Sequence, residues 1–240
     1  MKTNIFTFLM ILVFSTGIVF AQNDGRIEQD AFSTEGKRVK VGLIVGTGVD
    51  WFMPKNLKFE REGASMNFHV GIPIDINLTK DSYYYFSTGL IFQHLGGKMK
   101  FESDLIEPTS PKSIATKRYY PSMYLTIPTG IKLKTPQFKN VVLGVNFGLY
   151  HSFLLSAKVK DKYRYNDKDY ITEQKSTKEM AVFKEAAYIG IGGEFIIKND
   201  FRAFLFVNYA YSFTNSFLRN NMENEKGNLS SVEIIFGVNF

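Results

Sequence analysis

Few residues in this chain have the types and spacing to do chemistry. There are three histidines, His69, His94 and His151, and no cysteine. Without thiols there are no disulfides and no thiolate metal sites. His151 is followed by Ser152, so a base and a hydroxyl adjoin. Neighbouring side chains of an extended strand point to opposite faces, which rules that pair out as a nucleophile and its base. Asp50 and His151 also fall on opposite parities, against a cluster of acid and imidazole at one rim. His94 has no acidic neighbour in strand register. His69 shares its parity with Asn67, Asp75 and Asn77, but along an extended chain its ring lies about 20 Å from the Asp75 carboxylate. That spacing describes a polar lining and no metal centre. No catalytic residue, cofactor or metal is expected, and the chain does not read as an enzyme.

An alternation of period two positions these residues. Ala64, Met66, Phe68, Val70, Ile72, Ile74, Ile76 and Leu78 alternate with Ser65, Asn67, His69, Gly71, Pro73, Asp75 and Asn77. The stretch from Val39 to Met53 behaves alike. Both far exceed an ordinary strand of about 5–6 residues and suffice to cross a bilayer at about 9–11. Further strands are read at Tyr83 to Phe101 (blurred at Gly96-Gly97), Tyr119 to Lys134, Val141 to Val159, Met180 to Ile197, Phe201 to Thr214 and Leu229 to Phe240. The connections Thr79 to Ser82, Thr135 to Asn140 and Lys198 to Asp200 are short. Pro54 to Glu62, Glu102 to Arg118, Lys160 to Glu179 and Phe217 to Asn228 are long and charged. Strict alternation of long and short predicts an all-β fold: a transmembrane antiparallel up-and-down barrel of about eight strands, with short periplasmic turns and long outer loops.

On the inward parity fall Lys40, His69, Asp75, Lys132, Glu194, Arg202 and Glu233, with Lys134 beside them. Buried charges must be paired or hydrated. They predict a lumen closed by ion pairs, Glu194 with Arg202 across the Lys198–Asp200 turn among them. A narrow ion path along the same groups is the alternative. Tyr120, Tyr124, Tyr150, Phe204 and Phe206 point inward as filling. Trp51, the tyrosines at 83–85 and those at 119–120 sit at strand ends, where headgroup-level girdles are expected.

The ends set the compartment. Met1-Lys2, the apolar run Ile5 to Phe20 and the small residue Ala21 make a secretory signal peptide, residues 1–21. Residues 22–37 read as a flexible periplasmic leader and 38–240 as the barrel. A mean hydropathy of −0.11 averages a lipid face with a polar one, and 23 Phe with 13 Tyr suit such a wall. The net charge of +6 forms no basic stripe of the kind nucleic-acid binders carry, so nucleic acid is not an expected partner. Phe240 closes an alternating last strand and is a candidate assembly signal for the outer-membrane insertion machinery.

Three segments carry a family resemblance: Tyr124-Leu125-Thr126-Ile127-Pro128 followed by Lys132; Gly89-Leu90-Ile91-Phe92 with Gly96-Gly97-Lys98 after it; and Gly190-Ile191-Gly192-Gly193-Glu194. With these the chain resembles the outer-membrane β-barrels of the PorT type, widespread in Bacteroidetes. The resemblance implies an outer-membrane location. The named member of that group takes part in the type IX secretion and gliding apparatus; the resemblance brings no set of functional residues. The expected function is structural or interactive, through outer loops or periplasmic turns, with outer-membrane lipid and an envelope protein as partners. A narrow channel for small solutes or ions is the alternative.

Overall fold

The computed structural model describes residues 38–240 apart from 56–58, 80–81, 104–113, 166–167, 176, 178–179, 199–200 and 219–225. The expected signal peptide and leader lie outside the described residues. Among the described residues there are twelve strands: β1 Val39–Pro54, β2 Glu60–Arg61, β3 Ser65–Asn77, β4 Tyr84–Leu95, β5 Lys98–Ser103, β6 Ile114–Tyr119, β7 Ser122–Lys134, β8 Val141–Tyr165, β9 Lys168–Lys175, β10 Phe183–Lys198, β11 Phe201–Ser212 and β12 Gly227–Asn239. Eight of them close a ring in the order β1-β3-β4-β7-β8-β10-β11-β12, every pairing antiparallel. The seam that shuts it runs from Gly42↔Asn239 to Pro54↔Gly227.

The expected parity sorts the side chains. On β3, Met66 is 74 % and Ile72 47 % exposed, while Asn67 is 2 % and His69 1 %. Every ring strand repeats this, with Leu43, Phe92, Leu149, Ile191, Val207 and Phe236 among the exposed apolar residues. A continuous apolar exterior around a closed ring is the surface of a barrel that sits in lipid.

Inward glycines make room for rings and do not open a gap along the wall. A Cβ on Gly46 would stand 2.0 Å from His69 Nε2, and one on Gly237 would stand 2.3 Å from the Phe204 ring. Gly130 faces the Tyr188 hydroxyl and Gly192 the Phe206 ring in the same way. Gly89 is different. Its φ of +147° is open mainly to glycine, and it lies opposite Pro73. The β4–β7 ladder has no bridge between Ser87↔Gly130 and Ile91↔Thr126. Pro128 lies in that gap and has no amide hydrogen to give.

Several expectations need correction at the outer end. The strand read as Tyr83 to Phe101 stops at Leu95 and leaves the ring. Asp50 accepts the Gly96 amide at 2.9 Å there, and Gly97 lies against the Phe52 ring. β8 runs on to Tyr165, well past Val159. A bulge lies where Met123↔Ser156 is followed by Tyr124↔Leu154. Beyond it the odd residues Ala157 and Val159 face inward. The segments read as loops carry three short strands, β2, β6 and β9, and the end of the strand read as Tyr83 to Phe101 becomes a separate strand, β5; with the upper part of β8 these four form an outer sheet in the order β9-β8-β6-β5-β2. Tyr85 is not a girdle residue: it is 1 % exposed, because its parity turns it inside, and Tyr120, expected both as inward filling and at a girdle, is 0 % exposed and inward.

That outer sheet is a lid. Phe52, Leu95, Tyr124 and Leu229 from the ring pack with Phe59, Met99, Phe101, Tyr120, Val159 and Phe217 from the outer segments into one buried cluster over the mouth. Phe52 meets Tyr120 edge-on at 5.7 Å and Phe217 at 5.2 Å between ring centroids.

Candidate functional site

The charged lumen residues gather in two layers. Toward the end with the short turns, Lys132 Nζ donates to Asp75 Oδ2 at 2.5 Å, and Ser87 Oγ donates to Asp75 Oδ1 at 2.5 Å. Lys134 Nζ lies 2.6 Å from Glu194 Oε1, off the direction of a good hydrogen bond. Arg202, expected to be the partner of Glu194, stands farther off, at 3.8 Å. Lys134 displaces it because β7 brings an inward lysine nearer to Glu194 than the β10–β11 turn brings Arg202. Lys40 Nζ donates to Tyr85 Oη at 3.2 Å, and Lys134 covers that ring at 4.0 Å. Here four cations face two carboxylates, all of them buried.

The second layer lies toward the lid. Asp50 accepts from Asn67 Nδ2 at 2.5 Å, and Glu233 from Ser231 Oγ at 3.1 Å and Tyr150 Oη at 3.4 Å. Lys184, 3 % exposed, has Asp50 and Glu233 as its acidic neighbours, and its Nζ lies 4.5 Å from the centre of the Tyr124 ring. Lys184 shares the inward parity of Glu194 on the same strand, and that parity alone is the signal that finds it. Thr126 joins the layer to Gln93 at 2.7 Å and Ser152 at 2.8 Å.

Between the layers lie Ile44, Ile91, Phe204, Phe206 and Ile235, and a stack of Tyr150 on Tyr188 at 4.3 Å. His69 is buried against Gly46, and neither ring nitrogen has a hydrogen-bond partner among the described residues. A cavity of about 60 Å³ touches Asp75, Lys132, Tyr188 and Phe206. Another of about 20 Å³ touches Lys184 and Glu233. Volumes of this size hold a few waters and no larger solute. Among the described residues no group of three or more His, Asp and Glu gathers as metal ligands would.

On the lipid side of the wall a polar rung crosses three strands. Thr129 Oγ1 on β7 lies 2.9 Å from His151 Nε2 on β8, and His151 Nδ1 lies 3.1 Å from Glu185 Oε1 on β10. The hydroxyl partner of His151 is thus a cross-strand threonine. Ser152 points into the lumen instead.

Phe240 is 51 % exposed at the outer surface, and its amide donates to Val41 O at 3.0 Å, so the terminus is tied to the first strand.

The family model described as the outer membrane protein beta-barrel domain matches residues 20–218. The chain belongs to that family. As one of its members it is an outer-membrane protein. No curated protein matches it. Among solved structures, neisserial surface protein A (NspA) is 11 % identical with a TM-score of 0.41, over 83 % of this chain and 95 % of that one. Ail, the attachment invasion locus protein of Yersinia pestis, in complex with the heparin analogue sucrose octasulfate, is 13 % identical with a TM-score of 0.33, over 83 % and 99 %. The outer membrane protease OmpT from Escherichia coli is 8 % identical with a TM-score of 0.39, over 85 % and 96 %. At TM-scores below 0.5 none of these likenesses carries an argument.

Proposed function

We propose that this outer-membrane β-barrel is a closed, non-enzymatic barrel of the PorT type that serves in an envelope assembly, such as a secretion complex, through its extracellular sheet. One observation carries the reading: the buried aromatic cluster that joins the lid to the barrel mouth. A channel must leave that mouth open, and eight strands leave an interior that side chains fill. What the outer environment meets is then the sheet β9-β8-β6-β5-β2. The two charged layers and His69 act as internal packing. An envelope protein on the sheet or turns, lipid around the wall and the insertion machinery at Phe240 are the partners this reading implies, and residues 1–21 are the export signal. Recording from the purified barrel in a planar bilayer tests it. No steady conductance is expected, and a steady one promotes the narrow channel.

The rung Thr129–His151–Glu185 favours a second reading, hydrolysis of esters at the lipid face. Its hydroxyl, imidazole and carboxylate follow one another at hydrogen-bond distances. Hydrolysis also needs donors for the developing oxyanion. Ile127, Leu149, Phe153 and Phe183, which pair beside the rung on the same face, offer none. We therefore read the rung as a polar stitch between strands. Ester turnover that disappears in Thr129→Ala would reverse that choice.

A further inference from the structure

The extracellular sheet has two unlike faces. Its inner face is sealed against the lid cluster: Met99 is 0 %, Phe101 5 %, Thr116 2 % and Val159 7 % exposed. The alternate residues form the outer face, and most of them are lysines. β8 contributes Lys158, Lys160 and Lys162. Lys117 of β6 stands directly opposite Lys162, and Lys100 of β5 directly opposite Lys117. On the other side of β8, Lys175 of β9 stands directly opposite Lys158. Lys98 shares a row with Tyr119 and Lys160.

Like charges directly opposite each other on neighbouring strands destabilise a sheet. Here they recur in two rows, and carboxylates neutralise only part of them. Lys117 pairs with Glu62, and Lys162 with Asp169 at 3.0 Å. Lys158 and Lys160 share Glu173, at 2.6 and 3.0 Å. Glu60 of β2 stands directly opposite Lys100 and ends that row with the opposite charge, whereas Lys98 and Lys175 have no acidic partner among the described residues. A sheet that holds lysines in opposed rows gains from an anion that bridges them.

The bulge at Met123↔Ser156 and Tyr124↔Leu154 decides which anion. It shifts the parity of β8 so that the lysine face continues the lipid-exposed wall. Leu149 and Leu155 face lipid below it, at 37 % and 49 % exposed, and Lys158 follows directly above. The lysine face of the lid is therefore continuous with the lipid-facing side of the wall below it. We propose that this face binds the phosphate groups of the outer-leaflet lipids that encircle the barrel, clamping the extracellular sheet to its own membrane. This deepens the interaction reading above and rests on it: the sheet becomes an interaction surface whose first partner is lipid phosphate.

The test uses the mature full-length barrel in detergent and titrates diphosphorylated lipid A, counting bound molecules by native mass spectrometry. The combined variant Lys98→Gln, Lys100→Gln, Lys158→Gln, Lys162→Gln removes four charges from the face. Lys139→Gln with Lys226→Gln, away from the face, is the control. Heat-modifiable gel migration establishes that each variant is folded. Wild type and control are expected to bind alike, and the four-lysine variant about tenfold or more weakly. Dephosphorylated lipid A should bind wild type as weakly as the intact lipid binds the variant. Equal binding by wild type and variant overturns the proposal. So does wild-type binding that ignores dephosphorylation, or capture of soluble dextran sulfate with no capture of lipid A. Conductance is measured on the same samples: a conducting barrel that still binds lipid A through these lysines sinks the closed-barrel reading and leaves this one standing.

Discussion

Lys132 and Lys158 are the same residue type in two environments, and the contrast separates the lumen from the outer sheet. Lys132 is 6 % exposed and donates to a buried carboxylate; Lys158 is exposed and stands opposite another lysine. Inside, a charge without a partner costs several kcal/mol, so cations there meet a carboxylate, a phenol or a ring. Outside, water screens each charge, and the sheet can hold like charges in register at small cost. Burial dictates pairing in the lumen. The outer face is free to keep a charge excess.

Breaking one partner on each side sharpens that contrast. Asp75→Ala leaves Lys132 buried without its carboxylate and should cost about 3–5 kcal/mol in urea-monitored refolding into vesicles. A cost under 1 kcal/mol would mean that the lower layer is hydrated and not paired. Phe52→Ala should cost about 3–5 kcal/mol, because Phe52 is fully buried at the joint of ring and lid. Protease protection of the outer segments should fall with it. If those segments stay protected, the lid does not depend on the cluster.

Ile72→Arg tests the wall against both regions. With Ile72 at mid-bilayer depth, the lipid-facing arginine should cost about 2–4 kcal/mol. Gly71 points into the lumen, so spin labels at 71 and 72 should differ in lipid accessibility, and equal values would contradict the register. The smallest effect belongs to Glu173. Hydrogen bonds from Lys158 and Lys160 hold its carboxyl below the ordinary glutamate value of 4.5. A depressed value means that any stabilisation is present above the ordinary range and is lost as pH falls through the folded value. A chemical-shift titration should find Glu173 below a free glutamate, and no difference would argue against the shared pair.

The ring was legible in the sequence because parity is a strict signal. The alternation of Met66, Phe68, Val70 and Ile72 against Asn67, His69 and Asp75 could place a whole strand, and one residue of slip would have turned every charge to lipid. The outer sheet was legible only in part. Lys98 to Phe101 and Lys158-Val159 alternate and read as the ends of ring strands, whereas the charge of Thr116-Lys117-Arg118 and Lys160-Asp161-Lys162 reads as solvated loop until a lid gives the apolar half something to cover. Tyr85 went astray because position at a strand end suggested a girdle, whereas parity turned it inward; for Tyr120 the two signals disagreed, and parity was the one to follow. The pairing of Lys134 with Glu194 joins separate hairpins, and that of His151 with Thr129 depends on the register of the β7–β8 hairpin; alternation within one strand contains neither.

The central claim is that the barrel is shut. Single-channel recording of the purified wild-type protein in a planar bilayer, at two salt concentrations, tests it most directly. The closed lid and the paired lumen predict a flat baseline at both. A steady conductance that scales with salt would contradict them, and would mean that the lid cluster and the layers around Asp75 and Glu233 leave a continuous path.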